Sequence, residues 1–467
     1  MIEMQQAGSA FETLRRALEE VMTIESITRD GTDTPLRARG ELTLPADKAF
    51  DRLRPVYEQF GYTPRMYKDE GTVVIDALPG VFGQEDYGIP WGPILLFIVT
   101  LISVFFVGAN MSDELPVPFL QALALQMGAA IEGVPDAQIP TTEQFNDALM
   151  MGVLYAGSLL GILGAHEMGH FLMARRHKVD TTPPFFIPLP INILGTLGAV
   201  IAMREPAPNR RIQFDIGVAG PIAGLIVTVP VLIIGLTLTK VRSRQEIIDE
   251  QPTAQLDPAI IEQFGVYPVL QEGNSLAYIA AKLLVFGEIL PSGDRDVWIH
   301  PMAFAGWAGL LVTALNLIPV GQLDGGHVIY GLFGKNAQRA RTPVIIALLV
   351  MGVLGALQEG ARAAVQAGVA SGTLGNALTT ISDLPLPGWT GWLLWAALLF
   401  FLARGHAPVL NEITELDTTR RSVGVAMIVV FVLIFTPRPL LITPIPVLVF
   451  ATFTLAGKLY AGRYRQP

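Results

Sequence analysis

The chain has 467 residues, of which 51% are hydrophobic, only 16% are charged and none is cysteine. Soluble proteins usually carry about 25% charged residues, so this composition favours a polytopic membrane protein. The missing cysteines exclude disulfides and thiolate metal ligands. The net charge of -9 gives no indication of nucleic-acid binding.

The N-terminal segment 1–86 has the mixed pattern of a small soluble α+β domain. Apolar residues at helical spacing predict a helix over 9–22. Pro45 near a helix start and Gly61 near a helix end predict a second helix within 45–61. Alternating residues at 37–44 predict a strand, and two further short strands are predicted on either side of a turn at 69–71.

From Trp91 onward the sequence is dominated by uncharged apolar runs. About eight transmembrane helices are predicted, at 91–109, 148–174, 213–239, 302–320, 342–358, 388–404, 422–436 and 440–457. Segment 276–290 is shorter and contains Lys282 and Glu288, so it is expected to be interfacial or re-entrant. Residues 181–203 are apolar but hold four prolines, which predicts a re-entrant extended or β segment and no helical span.

Basic residues are unevenly distributed between the loops. The loop 110–147 contains no Lys or Arg, whereas 175–211 contains six. The positive-inside rule therefore predicts a multi-pass protein of the cell membrane with 110–147 outside and both termini in the cytoplasm. The predicted units are a cytoplasmic α+β domain at 1–86, a first span and outer loop at 91–147, a core at 148–335, and additional C-terminal transmembrane helices at 342–467.

The most informative motif is HEMGH at 166–170, inside the predicted span 148–174. On a helix, His166 and His170 lie on one face, where two imidazoles can bind one Zn²⁺ and Glu167 can accept a proton from a metal-bound water. A chance match is a reasonable interpretation in a soluble helix, but ionisable residues inside a span are costly and functional by default. A catalytic zinc site uses three protein ligands, so a third ligand is required.

Asp324 is the best candidate for the third ligand. It follows the predicted span 302–320 in the sequence LDGG, which by itself is also typical of a turn. If 181–203 and 276–290 do not cross the membrane, the spans 148–174 and 302–320 run in the same direction. Asp324 then reaches the depth of the two histidines on the same side.

Two other interpretations stay open. Glu412 or Glu415 could supply the third ligand in another class of membrane metalloprotease, although both lie in a separate predicted cytoplasmic loop. The second interpretation is a non-enzymatic metal-binding scaffold or a transporter. A transporter should carry ionisable residues along several spans, whereas in this chain they gather at two points near one face. His177, His300 and His406 are expected to be surface or interfacial residues. His327 could lie near the metal, but it is expected to support a ligand or to pack without binding the metal itself.

These motifs together resemble the site-2 protease family of intramembrane zinc metalloproteases. The resemblance covers roughly 148–335 and rests on HEMGH within a span, FFIPLP, GVAGPIAGL at 217–225 and NLIPVGQLDGGH at 316–327. We favour a helix-packing role for the glycines of GVAGPIAGL. The loop 240–275 is too short for an inserted PDZ domain, so the layout is similar to the cyanobacterial and plastid branch that lacks one.

The resemblance implies a zinc metalloendopeptidase that hydrolyses peptide bonds in or near transmembrane helices of membrane-protein substrates. It implies one Zn²⁺ per chain, with His166, His170 and Asp324 as ligands and Glu167 as the catalytic general base. The Asn-Pro pair usual before LDG is separated here by two residues. Asn316 is nevertheless a candidate for positioning the substrate or the oxyanion.

The resemblance also implies that a helical substrate unwinds before it is cleaved. Segment 181–203 could then offer an extended edge to the unwound substrate by strand addition. The expected partners are a transmembrane protein substrate and the lipid bilayer, with no nucleic acid. The oligomeric state is not predicted.

Overall fold

The computed structural model describes residues 2–30, 34–82, 90–128, 139–243, 246, 271–366, 372–384, 387–402 and 409–441. The helices are α1 Ile2–Glu19, α2 Ala46–Gln59, α3 Trp91–Ala109, α4 Phe119–Gln126, α5 Thr142–Arg176, α6 Arg210–Leu238, α7 Leu276–Phe286, α8 Pro301–Asn316, α9 Asp324–Phe333, the 3₁₀ helix Gly334–Ala340, α10 Arg341–Gln366, α11 Gly372–Asp383, α12 Gly391–Leu402 and α13 Thr418–Ile434. The strands are β1 Met22–Asp30, β2 Thr34–Leu42, β3 Tyr62–Asp69, β4 Thr72–Pro79, β5 Phe185–Pro188, β6 Thr196–Val200, β7 Lys240–Ser243, β8 Gln271–Glu272, β9 Arg295–Trp298 and β10 Leu440–Leu441.

The N-terminal segment forms a small sheet domain. Its four antiparallel strands have the order β1-β2-β4-β3, and α1 and α2 share one apolar core with them. The hairpin turn predicted at 69–71 joins β3 to β4, with Glu70 at a positive φ. The C-terminal boundary predicted for the helix over 9–22 is wrong, because α1 ends at Glu19 and β1 begins at Met22. The residues after Met22 are rich in β-branched side chains, which favour this strand.

Four helical stretches are long and apolar enough to cross a membrane among the residues that the structure describes. They are Trp91–Ala109, Thr142–Arg176, Arg210–Leu238 and the continuous stretch Asp324–Val365 formed by α9, the 3₁₀ helix and α10. These correspond to four of the eight predicted spans. The mostly helical chain is therefore a membrane protein.

The other predicted spans coincide with shorter helices or lie outside the described residues. The helix predicted over 302–320 is shorter in the structure, because α8 ends at Asn316. The chain then turns through the proline of NLIP, which cannot continue a helix. The predicted spans 388–404 and 422–436 contain α12 and α13, of 12 and 17 residues. Apart from its first two residues, 440–457 lies outside the described part of the chain, so the count of eight stays a prediction.

The proline-rich segment 181–203 is a β-hairpin. Strands β5 and β6 pair antiparallel, and a further bridge joins Thr181 to Met203, so the segment returns to the place where it leaves α5. The hairpin packs on α3, where the rings of Phe97 and Phe186 meet edge to face with 5.0 Å between centroids. This contact with α3 gives the extended backbone a protein neighbour, which non-helical backbone needs at the depth of membrane helices.

Three helices, α5, α6 and α8, form the centre of the molecule. His166 and His170 of α5 lie beside Gly224 and Gly220 of α6, respectively, so these two helices run antiparallel. The antiparallel ladder between β7 and β9 joins the end of α6 to the start of α8. Helix α8 therefore runs parallel to α5, which is the direction that the sequence predicts.

The connection before α13 docks on the N-terminal domain. Strand β3 is an edge strand, and residues 410–412 lie parallel to it. The backbone N–H of Met66 donates to the carbonyl of Leu410 at 2.7 Å, and the N–H of Glu412 donates to the carbonyl of Met66 at 2.9 Å. Leu410 is 2% exposed in the core of the N-terminal domain, and Arg65 forms an ion pair with Glu412.

Candidate metal centre

The side chains of His166, His170 and Asp324 meet between the ends of α5 and α9. The two histidine Nε2 atoms lie 3.2 Å apart. The Asp324 carboxylate lies 3.2 Å from Nε2 of His166 and 3.3 Å from Nε2 of His170. Among the described residues, this is the group of histidine and acidic side chains whose ligand atoms converge closely enough to hold a metal ion.

Helix α5 sets the spacing of the two histidines. Its first turn is closed by a capping box between Thr141 and Gln144, and its last turn carries basic residues that favour the carbonyl end of a helix. The helix is therefore regular through the HEMGH motif, and the rings of His166 and His170 lie one turn apart with 4.9 Å between centroids.

The DGG sequence places Asp324 at the first position of α9. A side chain at Gly325 would put its Cβ 2.0 Å from the carbonyl oxygen of Leu317, so only glycine allows the turn after α8 to fold back this closely. The turn itself lies at 317–323, and DGG forms the start of α9, so the interpretation of DGG as a turn is wrong. Asp324 does lie at a helix boundary, and the turn before it brings the carboxylate to the histidines.

Helix α6 supports the imidazole rings. Nδ1 of His170 lies 2.7 Å from the backbone carbonyl oxygen of Ile216. A Cβ at Gly220 would lie 2.1 Å from Nε2 of His170, so this glycine leaves the space that the ring occupies. The glycines of GVAGPIAGL do pack closely between helices, as predicted, and Gly220 and Gly224 contact the histidines of the HEMGH motif.

The donor set fits a zinc ion. Oδ2 of Asp324 is buried without a hydrogen-bond partner, which is costly for a carboxylate unless a cation is bound. Zinc bonds of about 2.0–2.1 Å in a tetrahedral site separate neighbouring ligand atoms by about 3.3 Å. The three distances within the cluster are close to this value.

Glu167 and Asn316 lie beside the cluster, where they line a cavity. Glu167 is 6% exposed, and its carboxylate accepts a hydrogen bond from the backbone of Ile201. The Nδ2 atom of Asn316 lies 3.4 Å from Nε2 of His166. The same cavity is lined by residues 198–200 of β6. A carboxylate, an amide side chain and part of strand β6 thus border the candidate metal-ligand atoms.

The other histidines do not join the cluster. Nε2 of His177 lies 3.0 Å from the carboxylate of Asp215, and Nδ1 of His300 accepts the N–H of Met302 at the start of α8. His327 is buried against α6, as expected for a packing residue. His406 lies outside the described residues.

The alternative acidic ligands lie elsewhere. Glu412 forms ion pairs with Arg65 and Lys335, and Glu415 forms one with Arg421. Both carboxylates belong to the connection that docks on the N-terminal domain. Glu412 therefore pairs with Arg65 of the N-terminal domain and Glu415 with Arg421 of α13, and neither carboxylate belongs to the cluster at the HEMGH motif.

Two features of the site have no signal in the sequence patterns. The carbonyl of Ile216 holds His170, but any backbone carbonyl can accept a hydrogen bond, so no residue type marks it. Trp395 of α12 lines the cavity from a helix far along the chain. Only the tertiary packing brings α12 to this position.

Comparisons with known proteins identify the central segment. Residues 154–357 match the model of peptidase family M50. The chain is 34% identical over 281 residues to the "probable zinc metalloprotease EGY1, chloroplastic" of Arabidopsis thaliana, an alignment that covers 59% of this chain and 41% of that protein. It is 30% identical over 352 residues to the protein of the same description from Oryza sativa subsp. japonica, covering 74% and 50%. No solved structure matches the chain significantly.

The fold and the site therefore define a membrane protein with a metallopeptidase-type cluster between its helices. The chain carries a peptidase family M50 domain, and the predicted resemblance to the site-2 protease family is confirmed. The chain spans about half the length or less of the curated relatives that it matches.

Proposed function

We propose that the protein is an intramembrane zinc metalloendopeptidase. It hydrolyses peptide bonds in or near the transmembrane helices of membrane-protein substrates, within the lipid bilayer. The observation that carries this proposal is the convergence of His166, His170 and Asp324 beside Glu167, in helices of membrane-spanning length. The descriptions of the relatives as zinc metalloproteases support it.

The proposed metal ligands are Nε2 of His166, Nε2 of His170 and the carboxylate of Asp324, which together bind one Zn²⁺ per chain. Zinc supplies Lewis-acid chemistry to water and to the substrate carbonyl group when it is bound. Three protein ligands leave one coordination position open for that chemistry. The carbonyl of Ile216 accepts the Nδ1 proton of His170 and so keeps Nε2 directed at the metal.

Glu167 is the proposed general base. Its carboxylate lies in the cavity next to His166, where it takes the proton of the attacking water and then transfers it to the leaving amine. The Asn316 side chain lines the same cavity and is the proposed donor that positions the substrate or the oxyanion. Neither side chain is needed as a metal ligand in this arrangement.

The substrate binds as an extended strand. A helical substrate hides its peptide bonds, so the segment to be cut must unwind before it can react. Strand β6 pairs with β5 on one edge, and its residues 198–200 line the cavity that is also lined by Glu167. Addition of the unwound segment to β6 would satisfy backbone groups that otherwise find no water inside the membrane.

The proposed topology follows the distribution of charge. The proposed units are a cytoplasmic domain at 1–86, a first span and outer loop at 91–147, a metalloprotease core at 148–335 and additional membrane helices at 342–467, with both termini on the cytoplasmic side of the cell membrane. Lys240 and Arg242 are basic residues on the proposed outer side, and both pair with Asp113 of the outer loop. That pairing compensates their charge and supports the assignment.

Cysteine labelling tests the topology cleanly, because the natural chain has no cysteine. Glu114 and Arg176 are both exposed, and they lie at opposite ends of the proposed topology. We expect Glu114→Cys to react with a membrane-impermeant maleimide in intact cells and Arg176→Cys to react only after permeabilisation. The reverse pattern would contradict the proposed orientation.

Cleavage of a single-span model substrate in detergent tests the activity. We expect the wild-type protein to cut it and Glu167→Gln to be about 10²- to 10⁴-fold slower, because positioned general bases contribute about this much. Glu114→Gln is the matched control, since this glutamate is exposed on the outer loop. A zinc-loaded wild-type protein that does not cut, or a Glu167→Gln variant that cuts at the wild-type rate, would contradict the proposal.

A further inference from the structure

Trp395 has an unusual position in the cavity beside the metal centre. It belongs to α12, outside the segment that matches the peptidase family model. Trp395 is 2% exposed, and it lines the cavity together with His166, Glu167 and residues 198–200. Its indole Nε1 atom is buried and has no hydrogen-bond partner in the structure.

An unpartnered indole N–H is unusual in a protein core, because a buried tryptophan normally donates its one proton. Two other buried tryptophans of this chain follow that rule. Nε1 of Trp392 donates to the carbonyl of Pro437 at 2.7 Å, and Nε1 of Trp307 donates to the carbonyl of Gly273 at 2.9 Å. Leaving a buried donor unpaired costs free energy, so the position of Trp395 calls for an acceptor that the described residues do not supply.

The chemistry of an unwound substrate provides such an acceptor. An extended peptide that pairs with β6 satisfies the N–H and C=O groups of one edge, and the groups of its other edge need partners from another element. Helix α12 is not a neighbour of β6 in the sheet, yet it brings Trp395 into the cavity that β6 borders. An indole can donate but not accept, so its partner is an oxygen atom.

We propose that the indole N–H of Trp395 donates a hydrogen bond to a backbone carbonyl oxygen of the unwound substrate. This inference rests on the proposed peptidase function and adds a substrate-positioning residue from the C-terminal helices. Recognition of a backbone carbonyl is independent of the substrate side chains. Trp395 therefore contributes to binding of any extended segment in the cavity.

The test measures peptide affinity separately from cleavage. The parent protein is zinc-loaded Glu167→Gln, and the probe is a fluorescein-labelled peptide that contains one transmembrane segment, titrated in detergent by fluorescence anisotropy. Trp395→Phe removes the N–H but keeps an aromatic ring, and replacement of Trp395 by benzothienylalanine removes the N–H while keeping the shape of the bicyclic ring. Trp392→Phe is the matched control in the same helix, because the N–H of Trp392 already has a backbone partner.

We expect both changes at Trp395 to weaken peptide binding about 3- to 10-fold, the usual contribution of one neutral hydrogen bond. Trp392→Phe should leave the affinity unchanged. In the background with intact Glu167, the same changes at Trp395 should raise KM by a similar factor with little change in kcat. A structural role alone would not distinguish benzothienylalanine from tryptophan, so this analogue keeps the test valid if Trp395→Phe folds poorly.

Unchanged affinity in the benzothienylalanine variant would overturn the inference, as would a parent protein that does not bind the peptide. A fall in kcat without a change in KM would also overturn it, because the donor would then act only in the transition state. Cleavage by the wild-type protein is measured in parallel. Peptide binding that depends on the indole N–H, together with a wild-type protein that holds zinc but does not cut, would refute the proposed function and leave the binding role of Trp395 intact.

Discussion

Nδ1 of His170 lies 2.7 Å from the backbone carbonyl oxygen of Ile216. A carbonyl can only accept, so the ring proton is on Nδ1, and the lone pair of Nε2 is free to face His166 and Asp324. Ile216 belongs to α6, whereas the HEMGH motif belongs to α5. The orientation of the candidate metal ligand is therefore set by the contact between two helices and not by α5 alone.

The first prediction concerns the space that α6 leaves for His170. In Gly220→Ala the added methyl group would lie 2.1 Å from Nε2, so either the ring or the helix has to move. We expect the variant to lose most of its zinc and to unfold with a free energy lowered by about 1–3 kcal/mol, as for other overpacked cores. Zinc per chain and thermal unfolding in detergent measure the two effects.

Gly161→Ala provides the control for this experiment. Gly161 is also in a membrane-spanning helix, but a Cβ there has nothing within 4 Å. We expect normal zinc content and stability equal to or slightly above that of the wild type, because alanine favours a helix over glycine by about 1 kcal/mol. Full zinc occupancy in Gly220→Ala would show that the α5–α6 contact does not constrain the site.

The second prediction concerns metal removal. A ligand that binds only the folded state stabilises it, by about 2.7 kcal/mol at a free concentration 100 times its Kd. We expect a chelator to lower the Tm of the wild-type protein and added Zn²⁺ to restore it. Asp324→Ala should show little change in Tm under either condition. Equal shifts in both proteins would mean that the metal responsible binds elsewhere.

The third prediction concerns the docking of the N-terminal domain. Leu410 is 2% exposed and lies in the core of that domain, although it belongs to the connection before α13. We expect Leu410→Ala to lower the free energy of unfolding of the N-terminal domain by about 2–5 kcal/mol, as for other buried leucines. Limited proteolysis across increasing temperature reports on this domain separately from the membrane helices.

Leu120→Ala is the matched control, since Leu120 is 62% exposed on α4. Its replacement should leave the proteolysis profile unchanged. If Leu410→Ala has the same profile as Leu120→Ala, the connection does not hold the N-terminal domain in solution.

Much of the candidate metal centre could be predicted from sequence because its elements are local motifs. The HEMGH spacing determines that His166 and His170 share a helix face, and this holds wherever the helix lies. The distribution of charge predicts the direction of the spans, and these directions place Asp324 at the depth of the two histidines. In the structure α8 does run parallel to α5. The prolines of 181–203 excluded a helix, and the segment is a β-hairpin.

The features that escaped prediction depend on contacts between distant parts of the chain. The ion pair of Arg65 with Glu412 joins residues 347 positions apart, and nothing in either local sequence indicates the other. Trp395 is one of several aromatic residues in an apolar helix, so its place in the cavity becomes visible only in the packed structure. Strand β1 was obscured because its first apolar residue, Met22, continues the spacing of α1.

The central claim is that Asp324 completes a zinc site with the two histidines of HEMGH. The most direct test is the zinc content of wild type, Asp324→Ala and Asp294→Ala, purified identically in detergent and measured by mass spectrometry of the metal. Asp294 is an exposed acidic residue outside the cluster, so its variant controls for the loss of a carboxylate. We predict about one zinc per chain in wild type and Asp294→Ala and far less in Asp324→Ala, because a catalytic site needs three protein ligands. Full zinc in Asp324→Ala, or none in the wild type, would contradict the claim.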